Sequence, residues 1–205
     1  MPSAHYFSPE PGSDPTPRQI TVSIAGEPLT ITTAGGVFSP GRLDTGTAVL
    51  LDSVPPPPQS GDVLDLGAGW GPISYALARS APDATIWSVD VNERALELIT
   101  LNAAQHGFSG INATTPSGVP EAVRFDAIWS NPPIRVGKQE LHGMLRHWLP
   151  RLKPGCDAWL VVQKNLGSDS LLSWLSTEFD GTHVSSRATT KKGYRVLRVH
   201  RTTTG

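Results

Sequence analysis

From residue 62 onward the sequence alternates short apolar runs with helix-forming segments, and the runs Asp62 to Leu66, Thr85 to Val89 and Phe125 to Trp129 lead into Gly67, Asp90 and Ser130-Asn131. Apolar strands separated by helices predict a parallel sheet covered on both faces. In such a sheet, ligands bind at the carboxyl ends of the strands, near the point where strand order reverses. Further strands are expected at Ile111 to Ala113, Ala158 to Gln163, His183 to Arg187 and Tyr194 to His200. The last two read as an antiparallel closing pair. Helices are expected from Pro72 to Arg79, from Asn92 to His106 with Gly107 closing it, from Gln139 to Leu152 stopped by Pro154-Gly155, and from Leu171 to Phe179.

Residues before about 60 have a different character. The first eighteen are rich in Pro, Ser and Gly and read as an extended strap, with His5-Tyr6-Phe7 as an aromatic anchor. Ile20 to Ile24 and Pro28 to Thr33 alternate apolar and polar around Gly26-Glu27, a β-hairpin pattern. A helix from Asp44 to Val54, capped by Asp44 or Thr45, runs into the stiff Pro55 to Pro58 spacer. Residues 1–58 are thus expected to pack as strap, hairpin and helix on a core formed by residues 59–205, in one globular unit.

The single cysteine, Cys156, excludes an intrachain disulfide. Met1 to Pro11 has neither the basic start nor the apolar run of a signal peptide, and no stretch is long and apolar enough to span a bilayer, so a cytoplasmic protein is expected. His142 and His147 do not share a helix face, which argues against a metal site. The net charge of −1 hides an asymmetry: residues 1–130 carry 5 Lys and Arg against 13 Asp and Glu, and residues 131–205 carry 12 against 5. A basic C-terminal third on an acidic body suggests a nucleic-acid partner.

The turn Asp65-Leu66-Gly67-Ala68-Gly69-Trp70-Gly71 lies directly between a strand and a helix. Glycines admit positive φ and close approach of backbone to a ligand, and a helix start offers free N–H groups. The dinucleotide fingerprint needs a third glycine where Pro72 stands. A pyrophosphate also gains nothing from a neighbouring carboxylate, whereas a phosphate-free ligand with an ammonium group does. S-adenosylmethionine (SAM) meets that description, which makes Asp65, Gly67, Ala68, Gly69 and Gly71 candidate cofactor contacts. Asp90, 23 residues past Gly67, ends the next strand, where an acid can take ribose hydroxyls. The loop Thr114 to Gly118 should pass the adenine edge, with Thr115 or Ser117 as the nearest polar groups.

Ser130-Asn131-Pro132-Pro133-Ile134 ends the fourth core strand. Two prolines fix the backbone and remove two N–H donors, which leaves carbonyls as acceptors beside the Asn131 amide oxygen. Two acceptors aimed at one –NH2 group bind both its hydrogens and orient the nitrogen lone pair. An aniline-like amine is a poor nucleophile, so positioning and electrostatics carry such a reaction. No strong base is needed before attack. Asn131, Pro132, Pro133 and Ile134 are therefore the candidate catalytic loop. Arg135 and Lys138 adjoin it and are candidate phosphate contacts. Lys164, Lys191, Lys192 and Arg195 extend the same positive surface.

Taken together, Gly36-Val37-Phe38-Ser39, Leu43-Asp44-Thr45-Gly46-Thr47, Asp65 to Gly71 and Asn131 to Pro133 resemble the methyltransferase small domain family, which includes bacterial rRNA guanine-N2 methyltransferases. The likeness covers nearly the whole chain from His5. It is nearest to a small single-domain branch that shares an opening like His5-Tyr6-Phe7-Ser8, Asn131 to Lys138 with Leu141-His142, and Gly193-Tyr194-Arg195-Val196-Leu197. The resemblance implies a Rossmann-like class I SAM methyltransferase fold: a seven-stranded, mostly parallel sheet with an antiparallel C-terminal strand and an N-terminal hairpin and helix. It implies SAM as cofactor, with Asp44, Gly46, Thr47, Val91, Ser117 and Asn131 joining the contacts above. It also implies an RNA substrate, guanine N2 in 16S-type rRNA, acted on by a monomer or homodimer. The chain departs from the larger rRNA enzymes, which carry an extra N-terminal domain and tend to have an aromatic where Ile134 stands.

Adenine N6 and protein glutamine N5 remain alternative targets, since each offers an –NH2 on an sp2 carbon. A non-catalytic RNA-binding module with the same fold is the alternative of another class. A nicotinamide-dependent oxidoreductase is disfavoured by Pro72 and the Asn131 loop.

Overall fold

The computed structural model describes residues 16–37, 39, 41–134 and 137–203; the His5-Tyr6-Phe7 anchor, Phe38 and Arg135 lie outside the described residues. The hairpin β1 (Arg18–Ile24) and β2 (Glu27–Thr33) is followed by a short helix, α1 (Thr45–Leu51). Then come β3 (Ser60–Leu66), α2 (Pro72–Ser80), β4 (Asp83–Val89), α3 (Glu93–His106) and β5 (Ile111–Thr114). The second half is β6 (Phe125–Ser130), α4 (Lys138–Trp148), β7 (Leu152–Gln163), α5 (Ser168–Glu178), β8 (His183–Lys191) and β9 (Tyr194–Arg201).

Seven strands form one sheet in the order β5-β4-β3-β6-β7-β9-β8. β5, β4, β3, β6 and β7 run parallel, and β9 lies antiparallel to both β7 and β8. This is the seven-stranded, mostly parallel sheet with an antiparallel C-terminal strand that the resemblance implies.

Strand periodicity makes the layers. Val63, Ala127, Trp129, Val161 and Val196 face α1 and α2, whereas Leu64, Ile128, Leu160 and Leu197 face α4 and α5. A strand that points apolar residues both ways must be covered on both faces. A third cluster joins the hairpin to the body: Val22, Ile24, Leu29 and Ile31 pack on Trp70, Tyr75, Leu98 and Ile99.

Polar clips fix that junction. The side chain of Asn102 on α3 accepts from the Thr32 N–H and donates to the Thr32 carbonyl, each at 2.8 Å. Asn92 Nδ2 donates to the Gly36 carbonyl at 2.8 Å, and Trp70 Nε1 to the Ser39 carbonyl at 3.2 Å. Asn102 is fully buried, so Asn102→Ala removes both bonds and strands two backbone groups against an apolar surface. A loss of about 1–3 kcal/mol is expected, measured as a lower midpoint in urea with an unchanged slope.

The structure corrects the boundary placed at Pro154-Gly155. α4 ends at Trp148, a 3-10 turn covers Leu149–Arg151, and β7 starts at Leu152 and runs through the proline. The β6–β7 register jumps from Phe125↔Leu152 to Ala127↔Asp157. Pro154 and Gly155 lie inside this irregularity, where a missing N–H breaks no ladder bond, and Gly155 takes φ 80°. A similar shift between Arg187 and Thr189 carries β8 to Lys191, four residues past its expected end. α5 begins at Ser168, three residues earlier than expected. No helix among the described residues is long and apolar enough to cross a membrane.

Candidate active site

The parallel strands align their carboxyl ends on one edge of the sheet. Along that edge, in spatial order, lie Thr115 and Ser117 after β5, Asp90 after β4, the glycine turn after β3, Asn131 after β6 and Lys164 after β7. Neighbouring strands are about 4.8 Å apart, so residues remote in sequence become adjacent. The chain winds outward from β3 through β4 to β5, then returns to place β6 on the other side of β3. The glycine turn and the Asn131 loop therefore flank the switch point.

The turn is built for glycine. Gly67, Gly69 and Gly71 take φ of 75°, 55° and 94°, a region that costs other residues. The turn is fastened to β4 by the Gly67 and Ala68 N–H groups, which donate to the Val89 carbonyl at 2.9 and 3.0 Å. A Cβ on Gly67 would lie 3.7 Å from Pro133 Cδ, so the turn and the proline loop lie side by side with room for no more than a small side chain between them. Ser130 Oγ donates to the Leu66 carbonyl at 2.7 Å and locks the two strand ends together.

Asp65 is fully buried. Its Oδ2 accepts from Ser74 N–H at 2.9 Å and Ser74 Oγ at 2.6 Å, and Ser74 Oγ lies 2.5 Å from Ser88 Oγ. The carboxylate thus caps α2 from below, where Gly71 offers no side chain and Pro72 lacks an N–H. Its other oxygen, Oδ1, is buried without a partner among the described residues. Burial pushes the Asp65 carboxyl up to about 7, against the hydrogen bonds of Ser74, which pull it down. An unsatisfied buried carboxylate oxygen suits a cationic donor such as an ammonium group and would repel a phosphate.

Asp90 is clamped by backbone: Oδ2 accepts from Gly69 N–H at 2.8 Å and Oδ1 from Asn92 N–H at 2.9 Å. Each oxygen keeps lone-pair capacity for a further donor. Val91 beside it is 43% exposed, an apolar side chain uncovered at the strand end. Thr115 Oγ1 and Ser117 Oγ lie 3.1 Å apart next to this strand end, with Ser117 exposed.

Asn131 is held by its amide nitrogen. Its Nδ2 donates to Asp44 Oδ2 at 2.9 Å and to Thr47 Oγ1 at 3.0 Å. Asp44 is also the N-cap of α1, accepting from Thr47 N–H at 3.1 Å. Gly46 lies between them, where a Cβ would come within 2.8 Å of Tyr194 Cε1 and 2.9 Å of Asp44 Oδ2. The structure therefore brings Asp44, Gly46 and Thr47 up to the Asn131 amide. The Asp44–Asn131 pairing spans 87 positions and left no spacing signal in the sequence; Ser74 and Ser88 were also missed.

Beyond the Asn131 loop, Ile134, Lys138, Leu141, Val162 and Leu171 line a small pocket of about 40 Å³. Lys138 and Lys164 are exposed. The basic third is less bare than its composition suggests. Arg146 pairs with Glu178, Lys153 with Asp126, Arg187 and Arg195 with Asp169, Lys191 with Asp52 and Arg198 with Asp157. Arg195 is buried and also holds Ser168 Oγ, so it is a structural cation, whereas Lys191 is paired but exposed and Lys192 is exposed. Among the described residues, no group of His, Cys, Asp and Glu gathers as a metal site.

The profile of the methyltransferase small domain family matches residues 28–198. The YbxB protein of Bacillus subtilis is 36% identical over 199 residues, covering 96% of this chain and 98% of that one. Ribosomal RNA small subunit methyltransferase C of Shewanella sediminis is 33% identical over 171 residues, 81% of this chain and 48% of that protein. In solved structures, the 16S rRNA N2 G1207 methyltransferase (RsmC) of T. thermophilus, in complex with AdoMet and guanosine, is similar with TM-score 0.77 and 25% identity, covering 90% of this chain and 50% of that one. The precorrin-6y C5,15-methyltransferase of Geobacter metallireducens, at 14% identity and TM-score 0.59, shares the fold over 83% of this chain and 94% of that one. The chain spans about half the length of the rRNA methyltransferase C relatives it matches.

Proposed function

Because the chain belongs to the methyltransferase small domain family, we propose that it is a SAM-dependent N-methyltransferase acting on an exocyclic amino group, guanine N2 of small-subunit rRNA. The observation that carries this reading is that the glycine turn and the Asn131-Pro132-Pro133 loop leave adjacent, bonded strand ends side by side, with the Asn131 amide fastened by its nitrogen.

The residues fit the cofactor. Asp65 Oδ1 is a buried oxygen in want of a donor, and an α-ammonium group supplies one. Asp90 is a rigid acceptor for ribose hydroxyls, Val91 an uncovered apolar surface for adenine, and Ser117 a polar group at that end of the edge. When bound, SAM supplies a methyl group activated by its sulfonium charge. The chain itself supplies acceptors. With both Nδ2 hydrogens engaged, Asn131 presents Oδ1, and the carbonyls next to Pro132 and Pro133 meet no N–H from those residues. An amino group held by two such acceptors is oriented for attack and relieved of developing positive charge. Lys138, Lys164 and Lys192 are exposed cations available to meet phosphate, with Arg135 adjoining the loop in sequence.

RNA and guanine N2 are supported by what the relatives are named for: small-subunit rRNA methyltransferase C, and an N2 G1207 enzyme solved with guanosine. Tritium transfer from labelled SAM to the rRNA, DNA and protein of a strain lacking the gene tests this directly. Label is expected in 16S rRNA, recovered as N2-methylguanosine. Label confined to protein, or recovered as N6-methyladenosine, overturns the substrate; no transfer to any fraction overturns the activity.

A further inference from the structure

We infer that Asp44 and Thr47 are positioning residues that set the orientation and polarity of the Asn131 amide. This rests on the reading of Asn131 as the acceptor of the target amine. The resemblance implied cofactor contacts for both; their hydrogen bonds give them a further role on the nitrogen side of the amide.

An asparagine amide has two orientations related by a half-turn, and only one aims the oxygen at a substrate amine. Unsupported, the two differ little in energy, and half of all encounters would meet an N–H where an acceptor is needed. Here both Nδ2 hydrogens are committed, one to a carboxylate and one to a hydroxyl. The flipped amide would press its oxygen against the Asp44 carboxylate, oxygen on oxygen. Asp44 has no hydrogen to offer when ionised, so it rejects that orientation outright.

The same carboxylate does more than choose an orientation. A charged acceptor on Nδ2 draws the amide toward its charge-separated form and enriches Oδ1 in negative charge. Chains of hydrogen bonds polarise one another in this way in sites of low dielectric. The amine gains positive charge as it attacks, so a more negative Oδ1 favours the transition state over the ground state.

The support is itself rigid. Asp44 Oδ2 is held by the Thr47 N–H at the start of α1. Gly46 lets that turn press against Tyr194 of β9 with no room for a side chain. At the other end of α1, Asp52 pairs with Lys191 of β8. The helix that steers Asn131 is thus pinned between the body and the closing strands.

Four variants test the role. Asp44→Ser keeps the helix cap, since serine caps as well as aspartate, but its shorter uncharged side chain falls short of Asn131. Asp44→Asn keeps size and an acceptor oxygen and loses the charge. Thr47→Val keeps shape and loses the hydroxyl. Asn131→Ala is the reference. Methyl transfer to 16S rRNA and small subunits from a strain lacking the gene gives kcat and KM, calorimetry gives the SAM affinity, and thermal unfolding gives Tm.

Asp44→Ser is expected to lower kcat about tenfold, with KM, SAM affinity and Tm near wild type. Asp44→Asn should recover part of that loss, and Thr47→Val should show a smaller loss in kcat alone. In the Asn131→Ala background, Asp44→Ser should cost nothing further, because residues acting through one group are not additive. An equal loss in both backgrounds, a loss confined to SAM affinity, or a wild-type kcat in Asp44→Ser overturns the inference and leaves the function standing. A wild-type kcat in Asn131→Ala instead overturns the reading of the site on which the inference rests.

Discussion

Replacing Asn131 with alanine is expected to lower kcat by about 100- to 1,000-fold, the effect typical of deleting one preorganised dipole from a transition-state site. Cofactor binding should survive, because the groups proposed to hold it lie on the ends of β3, β4 and β5. Folding should survive as well. Asp44 Oδ2 keeps its bond from the Thr47 N–H, and Ser130 still ties its strand to Leu66. Single-turnover methyl transfer and calorimetry separate the two quantities. Loss of both in parallel would mean that Asn131 serves the cofactor rather than the amine. A rate within threefold of wild type would remove it from the chemistry altogether.

The reason such a group was legible in the sequence is local. Asn131 follows an apolar strand and precedes two prolines, and those neighbours dictate both its place at a strand end and the absence of competing donors. The glycine turn was legible for the same reason: Asp65, Gly67, Gly69 and Pro72 announce a strand, a tight turn and a helix start within eight residues. What stayed hidden is long-range. The partner of Asn131 is 87 positions away and the clip of Thr32 on Asn102 is 70 away. Neither residue type nor spacing marks them, since an aspartate before a helix reads fully as a cap, and Asp44 is one. The same holds for charge. The basic composition of the last third was real, but Asp52, Asp126, Asp157 and Asp169 reach its cations only in the folded chain. The misplaced stop at Pro154-Gly155 has a different origin: proline forbids helix, yet a strand tolerates it where pairing is already irregular.

The second large effect is expected at Asp65. Asparagine in its place keeps an oxygen for Ser74 but puts an uncharged –NH2 group where Oδ1 meets no partner. A hydrogen bond to a charged group is worth about 1.5–3 kcal/mol, so Asp65→Asn should weaken SAM binding by roughly 10- to 100-fold at pH 8. The pH dependence gives the sign independently. Burial raises the folded-state carboxyl from 3.8 to about 7, so between those values the folded, cofactor-free chain holds a proton that the unfolded chain has released. Stability of the cofactor-free protein therefore falls as pH rises through that window and levels off above it. An ammonium ligand needs the ionised form, and binding below pH 7 must expel the proton. SAM affinity in the wild type should then drop toward tenfold per unit as pH falls below about 7. Asp65→Asn should lose that slope while remaining weak throughout. Calorimetry from pH 5.5 to 8.5 reads both. A wild-type profile flat across pH 7, or an Asp65→Asn protein that binds as tightly as wild type at pH 8, would show that the buried oxygen meets something other than the cofactor's ammonium group.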